Sequence, residues 1–205
     1  MLAAAPARRT LIAFGAVSFS YFAYAGLFST YAPLWFRSLG YSTLAIGVLA
    51  SVQSATRVLS PYVWGWVADH TGQRAQLLRA AVALSLACAF GFLVTPSYAW
   101  VVGVTAALFV CTAGVIPISE ASLAHLVSRG AALDAARYGR VRVWGSVGFI
   151  LTVSVAGFAL QWLGVARFPL LVIGLLALLL WAAVRLPALP EAAHHGSAAG
   201  AMALL

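Results

Sequence analysis

The chain has 205 residues, of which 63% are apolar and 8% charged, and its mean hydropathy is +0.99. A soluble domain has about a quarter of its residues charged and keeps its apolar runs short, so this composition excludes one. The formal charge of +8 comes from twelve arginines and four acids, Asp69, Glu120, Asp134 and Glu191, and its meaning depends on where a bilayer sets them.

A hydrocarbon core about 30 Å thick takes roughly 20 apolar residues per helix. Six stretches meet that need: 11–36, 43–68, 77–96, 98–127, 141–164 and 168–187. Residues 1–10 precede the first as a short N-terminus. That first stretch is too long for the core of a signal peptide, and no small-residue cleavage site closes it, so it reads as an uncleaved helix. After Pro187 the composition turns small and Pro-containing, and 188–205 reads as the start of a linker, cut short. His194 and His195 lie there with no partner acid or thiol, which favours a solvated loop over a metal site. Cys88 and Cys111 both fall in apolar stretches and read as small buried hydrophobes. The fold expected is therefore an all-α membrane protein of six transmembrane helices, with no metal and no cofactor.

The arginines sort by side if the spans alternate. Arg8, Arg9, Arg74, Arg79, Arg129, Arg137, Arg140, Arg142 and Arg185 fall on one side; Arg37 and Arg167 fall on the other. Such a bias marks the first side as cytoplasmic, which places both chain ends there and makes the basicity a topology signal rather than a nucleic-acid footprint. Arg57 belongs to neither group, because it lies within the second span.

The loop between the second and third spans reads Gly65-Trp66-Val67-Ala68-Asp69-His70-Thr71-Gly72-Gln73-Arg74. Gly65 permits close helix approach, Asp69 can cap or pair across the helix ends, Gly72 allows a tight reversal and Arg74 offers Asp69 a partner. This stretch resembles the cytoplasmic loop signature of the major facilitator superfamily, G-x-L-A-D-R-x-G-R-R, departing from it at Val67, His70 and Gln73. The resemblance implies one half of a facilitator fold, built as two inverted three-helix repeats. Gly157, Gln161 and Gly164, at the end of the fifth span, repeat part of the signature at the corresponding place in the second triplet.

Two charges lie where a span alone does not need them. Arg57 stands mid-membrane, and Glu120 about two turns from the cytoplasmic end of the fourth span, each at a cost of about 2.5–3.5 kcal/mol on insertion-derived scales. Pairing or a wet cavity must offset that, and their long side chains are in reach of one another. Ser51, Ser54 and Ser60 surround Arg57, and Pro117 interrupts the helix just before Glu120. Tyr21, Tyr24, Phe28, Tyr31 and Trp35 share one face of the first span, as packing or as a binding wall.

The segment Pro117-Ile118-Ser119-Glu120-Ala121 and the start of the fifth span, Tyr138-Gly139-Arg140-Val141-Arg142-Val143-Trp144-Gly145-Ser146-Val147-Gly148, resemble the lactose-permease-like branch of the facilitators. Within that branch they are most similar to bacterial 3-phenylpropionic acid transporters. The resemblance implies that Glu120 and Arg142 contact substrate, with Arg57 as a second positive charge. Arg57 and Arg142 would hold a carboxylate while Tyr21, Tyr24 and Trp144 touch its apolar body, and Gly65, Asp69, Gly72 and Arg74 would serve gating. The function implied is proton-coupled uptake of a small organic acid across a bacterial inner membrane, the second six helices lying outside this chain. A proton symporter of oligosaccharides or nucleosides is the alternative, and an accessory or structural membrane protein is a third class. No enzyme motif is present: Gly145-Ser146-Val147-Gly148 has its serine out of register for an intramembrane protease, and no H-E-x-x-H occurs.

Overall fold

The computed structural model describes residues 8–95, 97–129 and 132–187; the expected linker 188–205, with Glu191, His194 and His195, lies outside the described residues. The chain forms α1 (Arg8–Ser38), α2 (Thr43–Thr71), α3 (Arg74–Phe90, continued by a 3₁₀ turn at Gly91–Leu93), α4 (Tyr98–Thr112), α5 (Val115–Val127), α6 (Ala135–Leu163) and α7 (Phe168–Val184). Helices α4 and α5 are successive parts of one span, so six spans are long and apolar enough to cross a membrane. A two-residue antiparallel pair, β1 (Ser128–Arg129) with β2 (Ala132–Leu133), closes the turn before α6.

Local chemistry sets the ends and breaks. Ser42 and Ser97 accept hydrogen bonds from the N–H groups of Ala45 and Trp100, both 3.2 Å, and so start α2 and α4. Asp134 accepts from the N–H of Arg137 at 3.1 Å and pairs with its guanidinium at the same distance. This cap begins α6 at Ala135, a turn and a half before the apolar run at 141 that the sequence offers as its start. Gly72 ends α2 at φ +67°, its N–H returning to the Ala68 carbonyl, and Gly164 ends α6 at φ +84°. The break between α4 and α5 falls at Ala113-Gly114 because Pro117 has no N–H for the carbonyl of Ala113 and its ring crowds that carbonyl. The indole of Trp64 from α2 occupies the gap, donating to the Val110 carbonyl at 2.7 Å, and a Cβ at Gly114 would be driven into its ring.

Helices in lipid gain no hydrophobic drive toward one another, so close van der Waals packing must hold them. Here α1 is the hub. It lies along α6 and α7, while α2 packs on α4 and α5, and α3 on α4 and α7. The first helix of each triplet thus grips the second helix of the other, and the two third helices meet: the reciprocal pattern of two inverted three-helix repeats. Small residues make the α1–α6 seam possible. A Cβ on Gly145 would stand 2.6 Å from the Phe22 ring, one on Gly157 2.6 Å from the Tyr31 hydroxyl, and one on Gly148 would overlap the backbone carbonyl of Phe19. At the other side of α1, Phe28 packs against Phe92, Phe109 and Phe168, with ring centroids 5.1–6.0 Å apart, and Trp35 stacks on Phe168 at 5.3 Å. The start of α1, the loop after α2, the turn before α6 and the end of α7 share one end of the bundle, referred to below as the basic end.

Candidate functional site

The expected contact between Arg57 and Glu120 is not formed. Glu120 pairs instead with Arg142. Depth explains the choice. Glu120 stands seven residues before the end of α5 and Arg142 seven after the start of α6, so each is about 10 Å in from the basic end. Helix α2 runs on to Thr71, three residues past the end of its apolar stretch, which puts Arg57 fourteen residues in, about 21 Å. A vertical offset of about 10 Å, between different pairs of helices, separates the two cations. Phe14, Ser18, Ser119 and Tyr138 surround the Glu120–Arg142 pair about a cavity near 20 Å³, which has room for about one water molecule.

Arg57 is exposed on the open face of α2 and joins no ion pair among the described residues. Its guanidinium carbon lies 5.1 Å from the ring centroid of Phe109, a cation–π contact. Pro61 lies inside α2 and has no N–H to donate to the Arg57 carbonyl. The serines are less available than their spacing suggests. Ser51 and Ser54 donate to Gly47 and Ala50 of their own helix at 3.0 Å, and Ser60 is buried.

The aromatic face of α1 divides. Tyr24, Phe28 and Trp35 are closed into the core, Tyr24 with a hydroxyl that makes no hydrogen bond, and Tyr31 donates to the Val153 carbonyl at 2.7 Å. Tyr21 and Tyr31 are only partly buried, and Tyr21 is edge-on to Tyr24 at 6.3 Å. Trp144 is not gathered with the other site candidates. It lies across α1 from Arg142, against Gly15, in a groove shared with Trp181. Two positions on a helix differ by about 200° in direction, which is why Arg142 and Trp144 part.

At the basic end Asp69 and Arg74 pair at 3.1 Å across the Gly72 turn. His70, at the place where arginine is usual, turns back to stack on Trp66 at 4.2 Å, with its Nδ1 2.8 Å from the Trp66 carbonyl. Gly65 departs from expectation: a Cβ there meets nothing within 4 Å, so no helix among the described residues makes the close approach. The second copy of the motif does, because Gly157 lies under the Tyr31 hydroxyl. Arg79 has a partner its sequence gives no sign of. It donates to the carbonyls of Ala183, Val184 and Leu186 at 3.3, 3.3 and 2.6 Å, and so caps the end of α7. The Arg57–Phe109 contact was equally invisible, since Phe109 is one apolar residue in an apolar run. The Glu120–Arg142 pair had a signal in the equal count of seven residues to the two helix ends.

Six apolar spans in two interlocked triplets, with an intramembrane ion pair and an arginine that joins no ion pair among the described residues, define a multi-pass membrane protein. The chain belongs to the MFS_1 like family of the major facilitator superfamily, which it matches over residues 11–203. It is 30% identical to the maltose permease of Geobacillus stearothermophilus over 67% of this chain and 34% of that one. It is 27% identical to the probable 3-phenylpropionic acid transporter of Escherichia coli (strain K12) over 68% of this chain and 36% of that one. The chain spans about a third of the length of the curated relatives it matches. The crystal structure of the nucleoside transporter NupG superposes with a TM-score of 0.79 at 19% identity, over 94% of this chain and 48% of that one, a match of fold.

Proposed function

We propose that this chain is one six-helix half of a secondary transporter of the bacterial inner membrane, its described ends cytoplasmic, and that it carries a small organic monoanion such as an aromatic acid together with a proton. The observation that carries this reading is the different state of the two intramembrane arginines. Arg142 is matched by Glu120, whereas Arg57 has no counter-ion among the described residues. The three charges sum to +1, which one carboxylate neutralises. Arg57 is permanently charged and offers a bidentate fork, with Phe109 beside it for a flat apolar body. Protonation of Glu120 would release Arg142, so the pair is the proton-linked element of this half. The open faces of α2 and α6 are where a second six-helix bundle closes the cavity, and rocking of the two bundles gives alternating access. Gly65, Asp69, Gly72 and Arg74 serve gating at that contact. The nine-to-two arginine bias sets the orientation.

Transport of a sugar or a nucleoside is the second reading. It is favoured by the similarity to the maltose permease, slightly above that to the phenylpropionate protein, and by the fold match to a nucleoside transporter. Uptake of labelled 3-phenylpropionate, maltose and uridine by cells making the protein separates the two. The expected result is uptake of the acid, abolished when the pH gradient is collapsed and lowered about 100-fold by Arg57→Leu, since a lost charged hydrogen-bonded contact is worth up to about 3 kcal/mol. Uptake of maltose or uridine that survives Arg57→Leu would overturn the organic-acid reading.

A further inference from the structure

A groove of about 380 Å³ runs between α1, α6 and α7, lined by Ile12, Gly15, Phe19, Trp144, Leu178 and Trp181. From Ile12 to Ser20 it follows eight residues of α1, about 12 Å, close to the 15 Å or so of one bilayer leaflet. Phe19 also borders a second apolar groove of about 360 Å³ between α1, α6 and α7. Each of the three walls of the first groove carries an arginine one turn farther toward the basic end. Arg8 lies four residues before Ile12, Arg140 four before Trp144, and Arg185 four after Trp181, so each pair shares a helix face. Arg185 covers the mouth directly, its guanidinium carbon 4.7 Å from the Trp181 ring centroid. All three described acids are engaged elsewhere: Asp69 by Arg74, Asp134 by Arg137 and Glu120 by Arg142. The cluster at the mouth therefore has no acidic partner among the described residues.

An apolar trough one leaflet deep, ending at the level of the headgroups in cations with no acidic partner among the described residues, fits one ligand chemistry: an acyl chain joined to an anionic phosphodiester. We propose that this groove is a binding site for an anionic phospholipid, its chain lying along Gly15 and Phe19 between the two tryptophans and its phosphate among Arg8, Arg140 and Arg185. The site lies apart from the Glu120–Arg142 pair and does not depend on the transport reading. General attraction of basic residues to an anionic surface is the rival account, and it needs the arginines but not the groove.

Trp144 and Trp181 in the walls supply the readout against the five other tryptophans of the chain, taken as the part of the quenching that the double variant Trp144→Phe, Trp181→Phe removes. The full chain is reconstituted in mixed phosphatidylglycerol and phosphatidylcholine vesicles in which only one lipid carries brominated acyl chains, and tryptophan quenching is compared between the two labelling schemes. The expected result is stronger quenching by brominated phosphatidylglycerol at equal mole fraction. Arg185→Gln lowers that preference about fivefold, the effect of one basic residue at the headgroup level, while Arg185→Lys keeps it. Ala16 also lines the groove, and Ala16→Phe, which fills it and leaves every charge in place, removes the preference as well. Equal quenching by the two lipids in the unaltered protein, a measurement that needs no variant to fold, would overturn the site. So would a preference that Ala16→Phe leaves untouched, which assigns the effect to surface attraction alone.

Discussion

Helices α1 and α2 are nearly equal in length, both apolar and both interrupted by an interior proline, yet they hold opposite places in the bundle. More than half of the apolar window of α1 is buried, 56%, against 11% for α2. The difference lies in what faces each helix. Gly145, Gly148 and Gly157 let α6 settle on the backbone of α1, and the rings of Phe28 and Trp35 fill the other side. Helix α2 is held chiefly through Trp64 in the α4–α5 break and through Tyr98, which donates to the Ala45 carbonyl at 2.9 Å. It leaves Leu44, Val48, Val58, Leu59, Tyr62, Val63 and Trp66 exposed. Composition alone makes a span; the small residues opposite it decide whether the span becomes a hub or a face. The unpaired Arg57 is on the face.

That contrast breaks most visibly at Gly148. A side chain there must displace the Phe19 backbone, which has no rotamer to yield, so Gly148→Leu is expected to cost about 3 kcal/mol or more. Loss of a monodisperse peak on size-exclusion chromatography would register it. Tyr62→Ala on the open face of α2 should leave the same profile unchanged. If the two variants behave alike, the seam is not what holds the bundle. Arg57→Leu comes next: a transport loss of about 100-fold with a nearly unaltered thermal midpoint, because among the described residues the guanidinium makes only its contact with Phe109. A fall in the midpoint comparable with that of Gly148→Leu would make Arg57 a packing residue.

Smaller still is the Glu120–Arg142 interaction. Its side chains are 35% and 55% exposed, so solvent screens it, and a double-mutant cycle on thermal stability should return a coupling of about 1 kcal/mol or less. Uptake should fall in both Glu120→Gln and Arg142→Gln, with the double variant no worse than the poorer single one, since either change dissolves the same pair. Additive losses would mean that the two residues act separately on substrate.

What the sequence disclosed about these regions follows the range of the forces involved. The six spans were legible because membrane crossing is a property of a local window, and the loop motif because Asp69, Gly72 and Arg74 are close in the chain and meet across one turn. Partners brought together by packing were not legible. Glu120 looked able to reach Arg57, and only the cap at Asp134, which sets the start of α6, places Arg142 at its own depth instead. Trp144 looked like a neighbour of Arg142 because two residues are close in sequence; on a helix they face apart. Tyr24 carries a polar group on an apolar face, and nothing local says that the core closes over it.

Gly65 gives the mildest prediction and the sharpest use of the comparison. In the α1–α6 seam every interfacial glycine meets a neighbour, whereas a Cβ on Gly65 meets nothing within 4 Å. Substituting alanine for a glycine within a helix, where nothing collides, reduces the conformational freedom of the unfolded chain, so Gly65→Ala should stabilise this bundle by about 0.5–1 kcal/mol. A glycine with no steric reason in its own bundle has its reason elsewhere if another bundle docks on α2. The two readouts then diverge: a raised thermal midpoint for the six-helix chain, with uptake reduced when the residue is enlarged further to leucine. A raised midpoint with uptake unchanged in Gly65→Leu would mean that this stretch of α2 faces lipid, and would remove it from the contact proposed for the opposite half.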